Sequence, residues 1–472
     1  MRILIATDTY HPDVNGAAYF TYRLAVMLKA QGNEVFVAAP SKSLKKTIVN
    51  EEGVTVYGVP SVVIPIYRDY RIPPLFFVKK SIRKIVEETR PDIIHIQNHF
   101  VIGREILEVA QELDAPIMGT NHFMPDNLVH YLHLPSGVET VLKKIGWRDF
   151  LHVYNQLDLV AAPTKTAATM IENLGIKQEV IPVSCGIDLG QFNPSNDGSY
   201  LKKRYNIPDR LTLLYVGRLE EEKRVDTLVR AMPEVIKKSD AQLVLAGTGK
   251  QRHALEALAK KLGVQESIIF TGFVPDDDLK NIYPVADVFV ISGLAELQSI
   301  VTMEAMASGL PVVAVDAMAL PELVRDGING FLFQNGDHEY LAKKVNQILA
   351  DGKLAERMSR QSLRIIKGHD IGNTVRKYEE LYHETIARHR KKTESEQGLK
   401  QNKASTWMHG GKNVLMIALL MIGISGSAMS VNHLIYPQSI FFDRLEHKVT
   451  SDKDYQNIKG KIEAAWNSVD DD

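Results

Sequence analysis

The amino-acid sequence predicts an α/β protein of two doubly wound lobes, and three observations predict it. Short apolar runs alternate with amphipathic helical stretches through residues 1–365, the pattern of parallel strands joined by crossover helices. The series is interrupted once, between 182 and 210, where Gly186, Pro194, Asn196, Asp197 and Gly198 cluster as in an interdomain linker. A chain of 472 residues also exceeds what one compact core accommodates.

Taken in order, residues 1–6 form an apolar run too short for a signal-peptide core, and they read as a first buried strand. Strands at 34–39, 93–97, 117–120, 157–162 and 179–182 complete a first domain over 1–183. A second series at 211–216, 242–246, 268–271, 288–291 and 311–315 builds a second domain over 184–368. Two open parallel sheets present their strand carboxyl ends to a cleft, and ligands bind at such ends. Within 369–388, Val375, Tyr378, Leu381, Tyr382, Thr385 and Ile386 recur at helical spacing, so this segment is expected to pack back on the first domain. A polar linker follows over 389–412. Residues 413–432 read as a transmembrane segment, 414–431 being free of charge and of about the minimum spanning length. Arg390, Lys391, Lys392, Lys400, Lys403 and Lys412 precede it, so both lobes are expected on the cytoplasmic face and 433–472 outside.

Composition excludes some classes. Lys and Arg total 56 against 57 for Asp and Glu, which gives no global attraction to nucleic acid. The single cysteine, Cys185, excludes an internal disulfide framework and a multi-cysteine zinc site. No cluster of acids suits a metal; Asp276, Asp277 and Asp278 read as a helix-capping loop. No three-glycine dinucleotide fingerprint follows the first strand, against a nicotinamide dehydrogenase. Gly247-Thr248-Gly249-Lys250 lacks the glycine spacing and the final hydroxyl residue of a phosphate loop, and reads as a strand-to-helix turn.

The strongest local signal runs from Ala295 through Glu296, Gln298, Ser299, Ile300 and Glu304 to Gly309. A strand ending near Ile291 turns into a helix beginning around Gln298 to Ser299, so Glu296 sits on the turn and Glu304 well inside the helix. The amides of Ser299, Ile300 and Val301 at a helix start suit an anionic phosphate. Arg218 and Lys223, in the turn after the strand at 211–216, offer two cations to a diphosphate. Gly16 opens a helix after the first strand, where backbone can approach a phosphate closely.

Two glutamates separated by seven residues, followed by Ala305-Met306-Ala307-Ser308-Gly309 and Pro311-Val312-Val313, resemble the signature of retaining glycosyltransferases of family 4, group 1. The resemblance covers residues 1–388 and implies two Rossmann-like domains facing across a cleft, the GT-B arrangement. It implies that Glu296 binds donor-sugar hydroxyls, Glu304 the ribose, Arg218 and Lys223 the diphosphate, and Val274 the base through its backbone. His122, at the end of the strand 117–120, would lie beside the transferred sugar. Catalysis would thus rest on His122, Glu296, Arg218 and Lys223, by front-face transfer with retention and with neither metal nor cofactor. The donor is expected to be UDP-glucose or GDP-mannose.

A lipid acceptor is suggested by the stretch 67–84, in which Arg68, Arg71, Lys79, Lys80, Arg83 and Lys84 stand among aromatics including Phe76 and Phe77. Such a mixture suits adsorption on an anionic phospholipid surface. Gln298, two residues after Glu296, resembles bacterial diacylglycerol glucosyltransferases, and phosphatidylinositol mannosyltransferases share the basic-aromatic stretch. The expected reaction is hexosyl transfer to diacylglycerol or a related membrane lipid. The alternatives are assembly of a polyprenol-linked or surface polysaccharide and, in a different class, a non-catalytic sugar-nucleotide-binding membrane protein.

Overall fold

The computed structural model describes residues 1–400 apart from 14, 65–66 and 125–135. It contains two open sheets of related order. The first has eight strands: β1 (Arg2–Ala6), β2 (Glu34–Pro40), β3 (Thr47–Glu51), β4 (Val54–Val59), β7 (Ile93–Ile96), β8 (Ile117–Thr120), β9 (Leu159–Ala162) and β10 (Val180–Pro182). A separate antiparallel hairpin pairs β5 (Val62–Ile64) with β6 (Tyr67–Ile72). The second sheet comprises β11 (Leu211–Val216), β12 (Ala241–Ala246), β13 (Ile268–Gly272), β14 (Val288–Ile291), β15 (Val312–Val315) and β16 (Gly330–Phe333).

In the first sheet the order is β10-β9-β8-β7-β1-β2-β4-β3, in the second β13-β12-β11-β14-β15-β16. Each chain path leaves its first strand in one direction and later returns to the other side. The reversal falls between β1 and β7 in one sheet and between β11 and β14 in the other, and loops at such a reversal leave a crevice for ligands. The strands nearest the reversals are apolar on both faces and buried, as helix-covered parallel strands must be: Ile3 to Ala6, Ile93, Ile94, Leu213, Leu214 and Val288 to Ile291 are all essentially inaccessible.

Five strands were not among those expected. β3 pairs antiparallel at the sheet edge and is exposed along most of its length, so it carries no burial pattern. β4 alternates instead of forming an apolar run. The β5–β6 hairpin includes Arg68, Asp69 and Arg71, and β16 is only four residues long.

The described residues divide into two compact units, one of Met1–Asn121, Arg148–Val160 and 381–400, the other of His122–Trp147 and Ala161–Glu380. The cut therefore falls after Val160, earlier than the expected 183. Within the second unit, Thr164 Oγ1 donates to the carbonyl of Leu297 at 2.9 Å, and the amide of Thr166 donates to Glu322 at 2.7 Å, which ties this stretch to the loops beyond β14. The C-terminal helix is also longer than expected. It runs over Ile371–Lys400, so the first part of the expected polar linker is helical. Tyr382 Oη and His95 Nδ1 lie 2.9 Å apart, and His389 Nδ1 lies 2.9 Å from the Asp158 carboxylate, contacts within the first unit made by the part of this helix beyond Glu380. Among the described residues no helix is long and apolar enough to cross a membrane. The expected transmembrane segment 413–432 and the tail 433–472 lie outside the described residues.

Candidate functional site

The second unit assembles most of the expected donor residues from two loops at its sheet reversal. β11 ends at Val216, and Gly217 then takes φ +150°, a conformation suited to glycine. A Cβ on Gly217 would come 2.8 Å from Tyr215 Oη, whose hydroxyl donates to the carbonyl of Arg218 at 2.9 Å. The buried Tyr215 ring thus props up the turn that presents Arg218. Leu219 donates its amide to Thr248 and accepts from Gln251, which binds this turn to the one after β12. The approach is so close that a Cβ on Gly247 would lie 1.9 Å from the Gly217 carbonyl oxygen. The glycines of the Gly247–Lys250 stretch therefore serve backbone packing, as the missing phosphate-loop residues indicated.

The chain continues through a single 3₁₀ turn, Glu221–Lys223. Lys223 Nζ donates to Glu296 Oε1 at 2.7 Å, and Arg218 pairs with Glu222 at 2.9 Å. The two cations thus share a neighbourhood but have different carboxylate partners. Both pairs are partly exposed, Lys223 and Glu296 retaining 23% and 13% of side-chain accessibility, so an incoming anion can compete for the cations. Glu296 is held at the turn because its carbonyl accepts the Ala319 amide and the Ser292 hydroxyl donates to the Lys223 carbonyl.

Ser299 is the N-cap of the helix Ile300–Ala307, its hydroxyl accepting from the Thr302 amide. Its side chain is thereby engaged within the helix, while the amides of Ile300 and Val301 have no intrahelical acceptor. Glu304 is 2% exposed and receives a hydrogen bond from Tyr283 Oη at 2.5 Å, so it is not a solvated surface carboxylate. Val274 is buried, and Phe273 beside it is half exposed. Asp276, Asp277 and Asp278 form the first turn of a helix, not a loop before it; Asp278 is buried against Tyr200 and Arg204.

Gln298, a candidate for donor binding, makes its hydrogen bonds within the protein. Its Oε1 accepts the Cys185 amide at 2.6 Å and its Nε2 donates to Ser184 Oγ at 3.0 Å, so both ends of the amide hold the strand-to-loop segment after β10. Ser184 Oγ in turn lies 2.8 Å from His369 Nδ1. His122 lies in the same unit with Nδ1 4.0 Å from Cys185 Sγ, and burial pushes its imidazole down to about 3. It is therefore neutral at pH 7, with one ring nitrogen to donate a hydrogen bond and one to accept, and supplies no positive charge.

In the first unit Gly16 opens the helix Gly16–Ala30, capped by Asn15, which accepts from the Ala18 amide at 2.9 Å. Asp8, at the end of β1, was not anticipated. It is buried and accepts from the amides of Ile102 at 2.8 Å and Gly103 at 3.4 Å, closing the N-terminus of the helix Val101–Glu112. Burial pushes its carboxyl up to about 6 against those bonds. A single acid directly after a buried strand was the available sequence signal.

The basic stretch 67–84 divides between a strand and a helix, Leu75–Thr89. Arg71 is engaged within the fold, its guanidinium donating to the Ser41 carbonyl, to Ser61 Oγ and to the Ser61 carbonyl, all at 2.8–2.9 Å. Lys79 pairs with Glu108 and Glu112, Arg83 with Glu112, and Lys84 with Glu88. Lys80 is exposed. Arg68 lies in β6 and Phe76 and Phe77 in the helix, with side chains outside the described residues.

Comparison with known proteins gives two family matches: residues 14–191 to Glycosyltransferase Family 4, and 200–364 to Glycosyl transferases group 1. The chain is 29% identical over 384 residues to the alpha-monoglucosyldiacylglycerol synthase of Streptococcus pneumoniae, covering 80% of this chain and 85% of that one. It is 27% identical to a GDP-mannose-dependent alpha-mannosyltransferase of Corynebacterium glutamicum, with coverage of 75% and 82%. Among solved structures, sucrose-phosphate synthase from Thermosynechococcus elongatus matches with a TM-score of 0.68 at 20% identity, over 81% of this chain and 99% of that one. That likeness is one of fold, the GT-B arrangement.

Proposed function

Because the chain belongs to the family 4, group 1 glycosyltransferases and is a hexosyltransferase, we propose that it moves glucose or mannose from a nucleotide sugar to a membrane lipid, diacylglycerol foremost, with retention at the anomeric carbon. The observation that carries this reading is the Lys223–Glu296 pair at 2.7 Å beside the start of the helix Ile300–Ala307. A nucleotide sugar brings its diphosphate to that cation and its hydroxyls to that carboxylate, so one ligand satisfies both partners when it separates them.

Each residue then has a definable task. Lys223 and Arg218 neutralise charge developing on the departing phosphate, and the amides of Ile300 and Val301 add partial positive charge at the helix start. Glu296 orients the sugar through its hydroxyls, Glu304 receives the ribose, and the backbone of Val274 receives the base. His122, neutral, hydrogen-bonds the sugar or positions the acceptor. The departing phosphate takes the acceptor proton, so no protein nucleophile is required. The step needs no divalent cation, and EDTA is expected to leave turnover unchanged.

The lipid acceptor is supported by the name of the Streptococcus pneumoniae relative. The enzyme would act on the cytoplasmic face of the membrane, with 413–432 as anchor. Incubating the purified chain with UDP-glucose or GDP-mannose and diacylglycerol in mixed micelles tests the proposal. An α-linked hexosyldiacylglycerol is the expected product. Transfer only to a polyprenol phosphate or an oligosaccharide, or donor turnover with no lipid at all, would overturn the acceptor assignment.

A further inference from the structure

Ten large apolar side chains are exposed among the described residues, and five of them, Leu44, Ile48, Val49, Val62 and Val63, fall between 44 and 63. Scattered exposed apolar residues need no explanation, whereas a local group does. The group belongs to the turn before β3, the edge strand β3 itself and the hairpin strand β5. Hydrogen bonds bring the turn and the hairpin together. The Ser61 amide donates to the Ser43 carbonyl at 3.0 Å, Ser61 Oγ donates to the Ser41 carbonyl, and Arg71 bridges the Ser41 carbonyl and Ser61 Oγ. Leu44 is thereby held near Val62 and Val63.

Cations accompany these side chains. Lys42 and Lys45 are exposed within the same turn, with Lys46 next to them. Among the described side chains, the acids of this edge, Glu51 and Glu52, lie at the far end of β3, and the half-buried Asp13 feels Lys42 and Arg71. The helix Leu75–Thr89 presents the opposite situation. Its Val78, Ile82, Ile85 and Val86 are buried, and Lys79, Arg83 and Lys84 are matched by Glu108, Glu112 and Glu88. Apolar side chains beside cations at an edge have the chemistry of interfacial adsorption.

We propose that the edge formed by residues 42–49 and 62–63 is where the chain adsorbs to an anionic phospholipid surface, Leu44, Val62 and Val63 entering the interface while Lys42 and Lys45 meet the headgroups. This inference rests on the reading of the acceptor as a membrane lipid and assigns the surface that delivers the enzyme to it. An exposed edge strand invites pairing with another chain, and lysines beside it discourage that pairing while favouring an anionic bilayer.

The test uses the full chain carrying a nitrobenzoxadiazole label on Val63→Cys, the native Cys185 being buried. Vesicles of phosphatidylcholine alone are compared with an equal mixture of phosphatidylcholine and phosphatidylglycerol. Emission is expected to brighten and shift to the blue with the mixed vesicles only, while the same label on Lys84→Cys stays unchanged. Adding Lys42→Glu and Lys45→Glu is expected to raise the lipid concentration at half-maximal change roughly tenfold. A silent Val63 label, or a response at Lys84 alone, overturns the proposal. A blue-shifted label before vesicles are added also overturns it: loss of that shift on dilution identifies a second copy as the occupant, and persistence identifies residues 401–472. Transfer to a short-chain diacylglycerol in detergent micelles is measured alongside. A silent label with active transfer removes only the docking surface, whereas inactivity toward every lipid removes the acceptor reading.

Discussion

The two sheet reversals are built on the same plan yet are finished in opposite ways. At the first, between β1 and β7, the chain fills the helix N-terminus itself: the Asp8 carboxylate takes the Ile102 and Gly103 amides and is buried. At the second, between β11 and β14, no carboxylate among the described residues takes the amides of Ile300 and Val301; the carboxylate nearby, Glu296, is paired with Lys223 and partly exposed. A helix start capped by its own chain is a structural joint. One left open beside cations is a place for a ligand's phosphate.

The largest expected effect comes from breaking the open end. Lys223→Ala or Glu296→Ala should lower kcat/KM roughly a thousandfold, about 4 kcal/mol of transition-state stabilisation, with an unchanged circular dichroism spectrum. A loss below tenfold in steady-state transfer would mean that the pair is structural, like Asp8.

Asp8 should show its role as stability, not as turnover. Its folded carboxyl sits at about 6 against an ordinary 3.8, so between those pH values the folded chain retains a proton that the unfolded chain has lost. Stability from this group is therefore full below about 3.8, declines as pH rises to about 6, and is then lower by about 3 kcal/mol. Asp8→Asn keeps an acceptor for the Ile102 amide and removes the titration. The protection free energy of the β1 amides against hydrogen exchange, from pH 4 to 7, should therefore slope downward in the parent relative to the variant, and parallel profiles would refute the assignment.

A smaller effect is expected at Gln298, which holds the Ser184–Cys185 segment near His122. Gln298→Leu should reduce kcat about tenfold and leave the donor dissociation constant unchanged, since neither end of the amide is offered to the donor. Weakened donor binding, measured by titration with UDP-glucose or GDP-mannose, would return Gln298 to the donor site. The smallest effect belongs to the exposed pairs of the helix Leu75–Thr89. Lys84→Ala should alter stability by less than about 0.5 kcal/mol and transfer not measurably, as surface ion pairs do.

Which features were legible in the sequence follows from how far apart the interacting residues lie along the chain. The buried parallel strands and the turn–helix at 296–304 are local patterns. Apolar runs, a cap at Ser299 and glycine where a turn needs it are set within a few residues, and the structure realises them. The ion pairs of the basic stretch were not legible because charge balance is not local: Glu108 and Glu112, which pair with Lys79 and Arg83, belong to a different helix. The same reason hid the work of Gln298, whose partners lie 113 and 114 residues away, and of Tyr283 beside Glu304. The edge strand β3 escaped because a strand exposed on both faces needs neither an apolar run nor an alternation.

The contact between Gly217 and Gly247 constrains anyone who would retune this enzyme for another donor. With 1.9 Å between a hypothetical Gly247 Cβ and the Gly217 carbonyl oxygen, neither turn has room to shift without dragging the other. Variation introduced at Arg218 is thus inherited by the Thr248–Gln251 turn through the shared Leu219 bonds. A library for altered specificity should treat the two turns as one inherited module, exchanging them together, and place its single-residue diversity elsewhere.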